Sequence, residues 1–307
     1  MILKLMGLLK TIMGINNRQK MTARREKPGG ATQVLQPAYT VRLKPELEEQ
    51  IYLEAENAGA VERADAPSEI AWAALTDIGM VRDHNEDNFS QLNLEEESLF
   101  VVADGMGGHD AGETASKLAV EAVCREVSEG VKRNHDPKKL IEEAVRQANA
   151  DVKREGKSKG SDMGTTLSVA LIADNTAYIA NVGDSRVYWI ENGSITQITE
   201  DHSLVAKLVA AGKLTKEEAR NHPRSNLLYR TIGNEEMVKV DTFEVALKKG
   251  GSLLLCSDGL WGEVADEEIY KVFTAGSDAK TACARLVQMA NKNGGKDNIT
   301  AVVVKVS

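Results

Sequence analysis

The sequence predicts an α+β sandwich in which consecutive antiparallel strands alternate with helices inserted in pairs. Three observations carry that expectation. A strand series punctuated by tight turns runs from Thr165 to Ile198, two helical stretches (112–128 and 137–155) follow one another directly, and short apolar runs stop at Asp-Gly turns. A parallel doubly wound sheet needs a long crossover between neighbouring strands, and the strand series leaves no room for one.

The elements follow in chain order. Residues 1–20 space Ile2, Leu5, Met6, Leu9, Ile12 and Met13 along one helical face among basic side chains, a pattern suited to an anionic membrane surface or a partner protein. A leader ahead of a start at Met21 is the alternative. Residues 21–45, with Pro28, Gly29, Gly30, Pro37 and Pro45, have linker composition, and residues 46–68 suit a short solvated helix. Residues 1–69 are therefore expected to be an extension, and residues 70–307 one domain. Within that domain Leu99–Ala103 is a buried strand ending at Asp104-Gly105, and Asp136-Pro137 is an N-cap with proline at the first helical position. The strand series then reads Thr165–Ala173, Thr176–Val182, Arg186–Ile190 and Ile195–Ile198, with turns at Asp174-Asn175, Gly183-Asp184 and Asn192-Gly193. Residues 203–231 mix helix and loop, Val240–Val245 and Ser252–Cys256 are strands, residues 266–292 are helical, and Ile299–Val306 is the last strand.

Charge narrows the function. The formal net charge is −8, yet residues 1–30 hold seven Lys and Arg against Glu26 alone. An acidic body removes the electrostatic basis for bulk nucleic-acid binding. The three cysteines, Cys124, Cys256 and Cys283, have neither disulfide-framework nor zinc spacing, which favours a reducing, cytoplasmic compartment. No apolar run approaches the roughly 18 residues of a membrane span.

The placement of carboxylates points to chemistry. Asp104 and Asp258 each follow an apolar strand run and precede glycine, Asp297 stands just before the final strand, and Glu86-Asp87 stand in a loop-like segment with Arg82. Any one Asp-Gly is an ordinary turn. Several carboxylates at strand mouths raise one another's pKa unless a cation neutralises them, and oxygen donors without a His or Cys cluster suit a hard divalent ion better than zinc. Such ions lower the pKa of a bound water and screen an incoming phosphoester, and an arginine such as Arg82 grips phosphate with its planar fork.

The segments Gly79-Met80-Val81-Arg82-Asp83-His84-Asn85-Glu86-Asp87, Val101-Val102-Ala103-Asp104-Gly105-Met106-Gly107-Gly108-His109, Met163-Gly164-Thr165-Thr166, Asn181-Val182-Gly183-Asp184-Ser185-Arg186, Cys256-Ser257-Asp258-Gly259-Leu260-Trp261 and Lys296-Asp297-Asn298-Ile299-Thr300 occur in that order. The ordered set resembles the bacterial branch of the type 2C, metal-dependent protein serine/threonine phosphatases over residues 70–307. That resemblance implies a four-layer α/β/β/α sandwich, two antiparallel sheets face to face with helix pairs outside, and a monomer. It implies two Mn²⁺ or Mg²⁺ ions, with Asp104 bridging both, Asp258 and Asp297 completing the first, and the Gly105 carbonyl on the second. Glu86 and Asp87 act near the second ion through waters, and Arg82 holds the phosphate. A metal-bridging water attacks phosphorus directly, without a phosphoenzyme. A third, looser ion is implied between Asp258 and Asp162. The segment Asp201–Arg230 resembles the flap that borders the site.

One departure concerns the general acid. Where the eukaryotic branch has histidine after the Asp-Gly pair, this chain has Met106, and the nearest histidine is His109. His109 either protonates the leaving alkoxide through water or caps the helix that starts near Gly112. The implied substrates are phosphorylated proteins, targets of a Ser/Thr kinase. The rival reading is a catalytically inactive phosphatase-like binding module. It is disfavoured because Asp104, Asp258, Asp297 and Arg82 are all present. No nucleophile elbow, Walker loop, kinase loop set or Cys-x5-Arg cradle offers another chemistry.

Overall fold

Alternation along single strands assigns the layers. In a computed structural model, which describes residues 70–94, 96–108, 110–133, 136–191 and 193–307, strand β3 (Glu97–Gly107) sends Leu99, Val101 and Ala103 to one apolar cluster and Phe100 and Val102 to another. The first cluster joins β3 to helices α1 (Ala111–Val131) and α2 (Pro137–Lys159). The second lies between two sheets, where Phe100, Ile179 and Ala170 share a cluster with Trp189, Leu253, Leu255 and Val302. A third cluster places Leu254, Cys256, Ala301 and Val303 against the helices of the other face. Strands buried on both sides explain the near-continuous apolar runs, and the layers are helix, sheet, sheet, helix, as the resemblance implied.

One sheet has the order β1 (Ile70–Asp77), β11 (Ile299–Val306), β10 (Ser252–Cys256), β7 (Arg186–Glu191), β8 (Ser194–Gln197). The other runs β2 (Asp87–Leu94), β3, β5 (Leu167–Ala173), β6 (Thr176–Val182), β9 (Asp241–Ala246), with the short β4 (Met163–Thr165) paired to β3. All pairings are antiparallel. The β5–β6 hairpin turns at Asp174 and Asn175 with φ of 46° and 60°, the left-handed pair that a two-residue turn requires. Helix α2 starts as expected: Asp136 accepts from the backbone of Lys138 and Lys139, with Pro137 at the first position, and Gly160 closes it in the left-handed region.

Two expected elements are divided. The strand expected over Thr165–Ala173 breaks at Thr166, whose backbone N–H donates to the Asp104 carbonyl at 2.8 Å. The helix expected over 266–292 is α6 (Asp266–Thr274) and α7 (Ala279–Asn293), separated at Gly276 (φ +72°) and restarted by the Asp278 cap. The 203–231 region contains α3 (Leu204–Ala210) and α4 (Lys216–Arg220), and α5 (Asp258–Trp261) follows β10. Among the described residues no helix is long and apolar enough to cross a membrane. The expected helix over 1–20, the linker 21–45, the helix within 46–68 and His109 lie outside the described residues.

Candidate metal centre

Register brings the carboxylates together. In the β2–β3 pairing Asp87 is the partner of Asp104, so the acid expected in a loop opens a strand beside the acid that follows Ala103. In the other sheet Cys256, at the end of β10, pairs with Ala301 near the start of β11, which draws Asp258 and Asp297 to the same end. Gly183-Asp184 links β6 of one sheet to β7 of the other. Asp184 is buried, and its charge acts on both Asp104 and Asp258. Asp184 was missed in the sequence because Gly-Asp between two strands has the form of a plain turn.

Local structure pins each donor. The Asp104 backbone N–H donates to Thr166 Oγ1 at 2.9 Å, and its carbonyl accepts from Thr165 Oγ1 at 2.8 Å, which gives the Met163–Thr166 segment its role. A side chain at Gly105 would collide with the carbonyl oxygens of Gly112 and Glu86, and one at Gly112 with the Glu86 carboxylate. Ser116 Oγ donates to the Glu86 carbonyl at 2.6 Å. Asn298, which the sequence did not single out, ties down the 78–86 segment. Its Oδ1 accepts from the Glu86 N–H at 2.8 Å, and its Nδ2 donates to the carbonyls of Ile78 and His84. Trp261 Nε1 donates to the Asp184 carbonyl at 3.0 Å, and the Arg186 guanidinium lies 3.6 Å above the Trp261 ring while gripping Asp201 at 2.7 Å.

The electrostatics are those of crowded acids. Burial raises Asp87 well above the usual carboxylate range, although Ser257 and Thr300 donate to its Oδ2 at 2.6 and 2.7 Å. Burial, then the charges of Asp87, Asp258 and Asp184, raise Asp104. Burial and Asp297 push Asp258 up to about 6. Glu86 is raised by burial, with Arg82 opposing. Arg82 Nη2 donates to Asp297 Oδ2 at 2.6 Å.

Two buried oxygens, Asp87 Oδ1 and Asp258 Oδ1, have no hydrogen-bond partner. Among the described residues no three His, Cys, Asp or Glu side chains already form a cage for an ion. The donor set nevertheless fits a hard divalent cation: the donors are carboxylate oxygens, buried together and mutually repelled, two of them without hydrogen-bond partners. Asp87, Asp104, Asp258 and Asp297 with Arg82 are thus brought to one end of the sheets, with Glu86 and Gly105 beside them. Asp162, which precedes β4, is exposed and lines a cleft with Lys153, Lys157 and Asn234. Within the candidate centre Asp184 is the additional acid beside Asp258.

A sandwich of this topology with oxygen donors and an arginine at one end of its sheets defines a class, the metal-dependent phosphoester hydrolases. The family model for protein phosphatase 2C matches residues 81–303. The serine/threonine phosphatase stp of Listeria innocua is 39% identical over 235 residues, covering 75% of this chain and 93% of that protein. The crystal structure of the Mycobacterium tuberculosis serine/threonine phosphatase PstP/Ppp covers 78% of this chain and 99% of its own, at TM-score 0.70 and 35% identity. The PstP catalytic domain in complex with two manganese ions gives 0.67 and 34%, over 78% of this chain and 98% of that one. The chain belongs to the protein phosphatase 2C family, in its bacterial branch, and is an enzyme of dephosphorylation.

Proposed function

We infer that the chain hydrolyses phosphoserine and phosphothreonine in proteins and reverses the action of a Ser/Thr kinase. What supports this reading is a single observation: the strand-end acids Asp87, Asp104, Asp258 and Asp297 stand beside Arg82, with the buried oxygens Asp87 Oδ1 and Asp258 Oδ1 free to bind a cation. Asp104, Asp258, Asp297 and the Gly105 carbonyl would hold two Mn²⁺ or Mg²⁺ ions, Glu86 and Asp87 would act through waters, and Asp162 with Asp258 would hold a third, looser ion. When bound, these ions supply an activated water and screen the phosphate charge.

The protein's own groups do the rest. The planar fork of Arg82 takes phosphate oxygens and orients the ester. Thr165 and Thr166 hold the Asp104 backbone in place, and Asn298 fixes the segment that carries Arg82 and Glu86. His109 stays the candidate for protonating the leaving alkoxide through water. Residues 70–307 form the catalytic unit of this reading, a cytoplasmic monomer, and residues 1–69 an extension whose basic segment 1–20 tethers it to a membrane surface or a partner.

The test is turnover of phosphopeptides and of a small aryl phosphate with Mn²⁺ or Mg²⁺, before and after EDTA. Activity that needs the metal is the expected result. A folded protein inactive on both substrates at saturating metal is instead the phosphatase-like binding module.

A further inference from the structure

Resting on the phosphatase reading above, we propose that the enzyme prefers phosphoserine and phosphothreonine flanked by acidic side chains, and that Arg220 and Arg224 are the groups that recognise them. The candidate centre is continuous with a cleft of about 770 Å³ whose lining includes Arg82, Asp258 and Asp297 together with the whole stretch Arg220–Leu227. Clefts of about 300–1,000 Å³ hold drug-sized molecules, so this one takes more than a single phosphorylated side chain.

The charges in the cleft are unevenly committed. Arg82 is engaged by Asp297 at 2.6 Å and Lys296 by Glu263 at 3.2 Å. Arg220 and Arg224 line the same cleft, and among the described residues neither has an ion-pair partner. This is unusual within the described residues, where Arg125, Arg133, Arg146, Arg154, Arg186 and Arg230 each contact a carboxylate. Arg285, bonded to Ser277, is the other arginine without an acid. In a chain of net charge −8, leaving two guanidiniums of one cleft without carboxylates points to an anionic visitor.

Both arginines stand on ordered backbone. Arg220 ends α4, which opens on a reciprocal capping box between Thr215 and Glu218. The Arg224 N–H donates to His222 Nδ1 at 3.1 Å, the Ser225 N–H to the His222 carbonyl at 2.9 Å, and the Leu227 N–H to the Arg224 carbonyl at 3.3 Å. A preorganised backbone lowers the ordering cost of binding, and a guanidinium fork matches a carboxylate. Pro223 and Leu227, the latter 53% exposed, add apolar surface to the same lining, which suits a peptide chain better than a free anion.

The experiment compares kcat/KM of the full-length protein with Mn²⁺ on three phosphothreonine peptides that differ only in flanking Asp/Glu, Ala or Lys, with a small aryl phosphate as control. Each exposed pair contributes up to about 1 kcal/mol, so the acidic peptide should be favoured over the neutral one by about five- to twenty-fold, chiefly through KM. The preference should shrink as NaCl is raised. In an Arg220→Glu/Arg224→Glu protein shown folded by circular dichroism, it should turn toward the Lys peptide. A wild-type ratio at or below one overturns the proposal, as does a preference insensitive to salt or unchanged by the charge reversal. The first two readings need no variant. Failure of aryl phosphate and every peptide alike would instead remove the phosphatase reading itself.

Discussion

Asp258 and Arg82 line the same cleft, yet their loss should be felt in different constants. Asp258 Oδ1 is buried without a partner and the carboxyl is held up near 6 by burial and Asp297, the condition of a group waiting for a cation. Asp258→Asn keeps the shape and removes the charge, so the Mn²⁺ concentration for half-maximal activity should rise and kcat should fall by about 10²-fold or more. Arg82→Ala should instead raise KM about ten-fold while leaving the Mn²⁺ requirement near wild type. Normal metal-dependent turnover in Asp258→Asn would remove it from the centre. At this scale Asp104, Asp258 and Asp297 were readable in the sequence, because each adjoins an apolar run that buries its strand. Asp184 was not, since Gly183-Asp184 has the composition of any hairpin turn.

Strand ends matter more than single acids at the scale of elements, because the segment 78–86 between β1 and β2 has no ladder of its own. Asn298, at the entry to β11, substitutes for one by satisfying three backbone groups of that segment at 2.8 to 3.0 Å. Removing it orphans the Glu86 N–H and two carbonyls. Asn298→Ala should therefore cost about 2–3 kcal/mol in denaturant unfolding and lower kcat/KM more than that loss of folded protein explains, because Arg82 and Glu86 ride on the segment. An unfolding midpoint within error of wild type would show that the segment holds itself. The element types were largely legible from apolar runs, the Asp136-Pro137 cap and the Asp174-Asn175 turn. The breaks were not. Thr166 leaves the strand to bond the Asp104 carbonyl, and the α6–α7 division rests on Gly276 and the Asp278 cap within an otherwise helical composition. Both depend on contacts or backbone angles that local propensity does not encode.

At the scale of the whole molecule, the sheet of β6 and β9 meets the flap-like segment at one buried histidine. His202 is 1% exposed; its Nδ1 accepts from the Gly183 N–H at 3.0 Å, beyond the end of β6, and its Nε2 lies 3.0 Å from Asp241 Oδ2 on β9 and 2.8 Å from Arg230 Nη1. Nothing in the local sequence points to His202, because its contacts come from positions 19, 28 and 39 residues away. Burial lowers its pKa, and Asp241 does not restore it; a second proton on Nδ1 would also break the bond from Gly183. Between its folded pKa and the unfolded value near 6.5 the unfolded chain thus binds more protons than the native one. The stability that His202 contributes is complete above about pH 6.5 and is lost as the pH falls below it. The raised acids of the candidate centre respond in the opposite sense, losing stability as pH rises, so the wild-type profile alone mixes the two. The difference between wild type and His202→Gln isolates the histidine, since Gln keeps polar contacts and does not titrate. Measured by denaturant unfolding in EDTA at pH 7.5, 6.5 and 5.5, the advantage of wild type over His202→Gln should be largest at pH 7.5 and shrink steadily toward pH 5.5. A growing advantage would mean that His202 is charged in the native protein and paired with Asp241, and a constant one that folding leaves its pKa unchanged; either would overturn the reading.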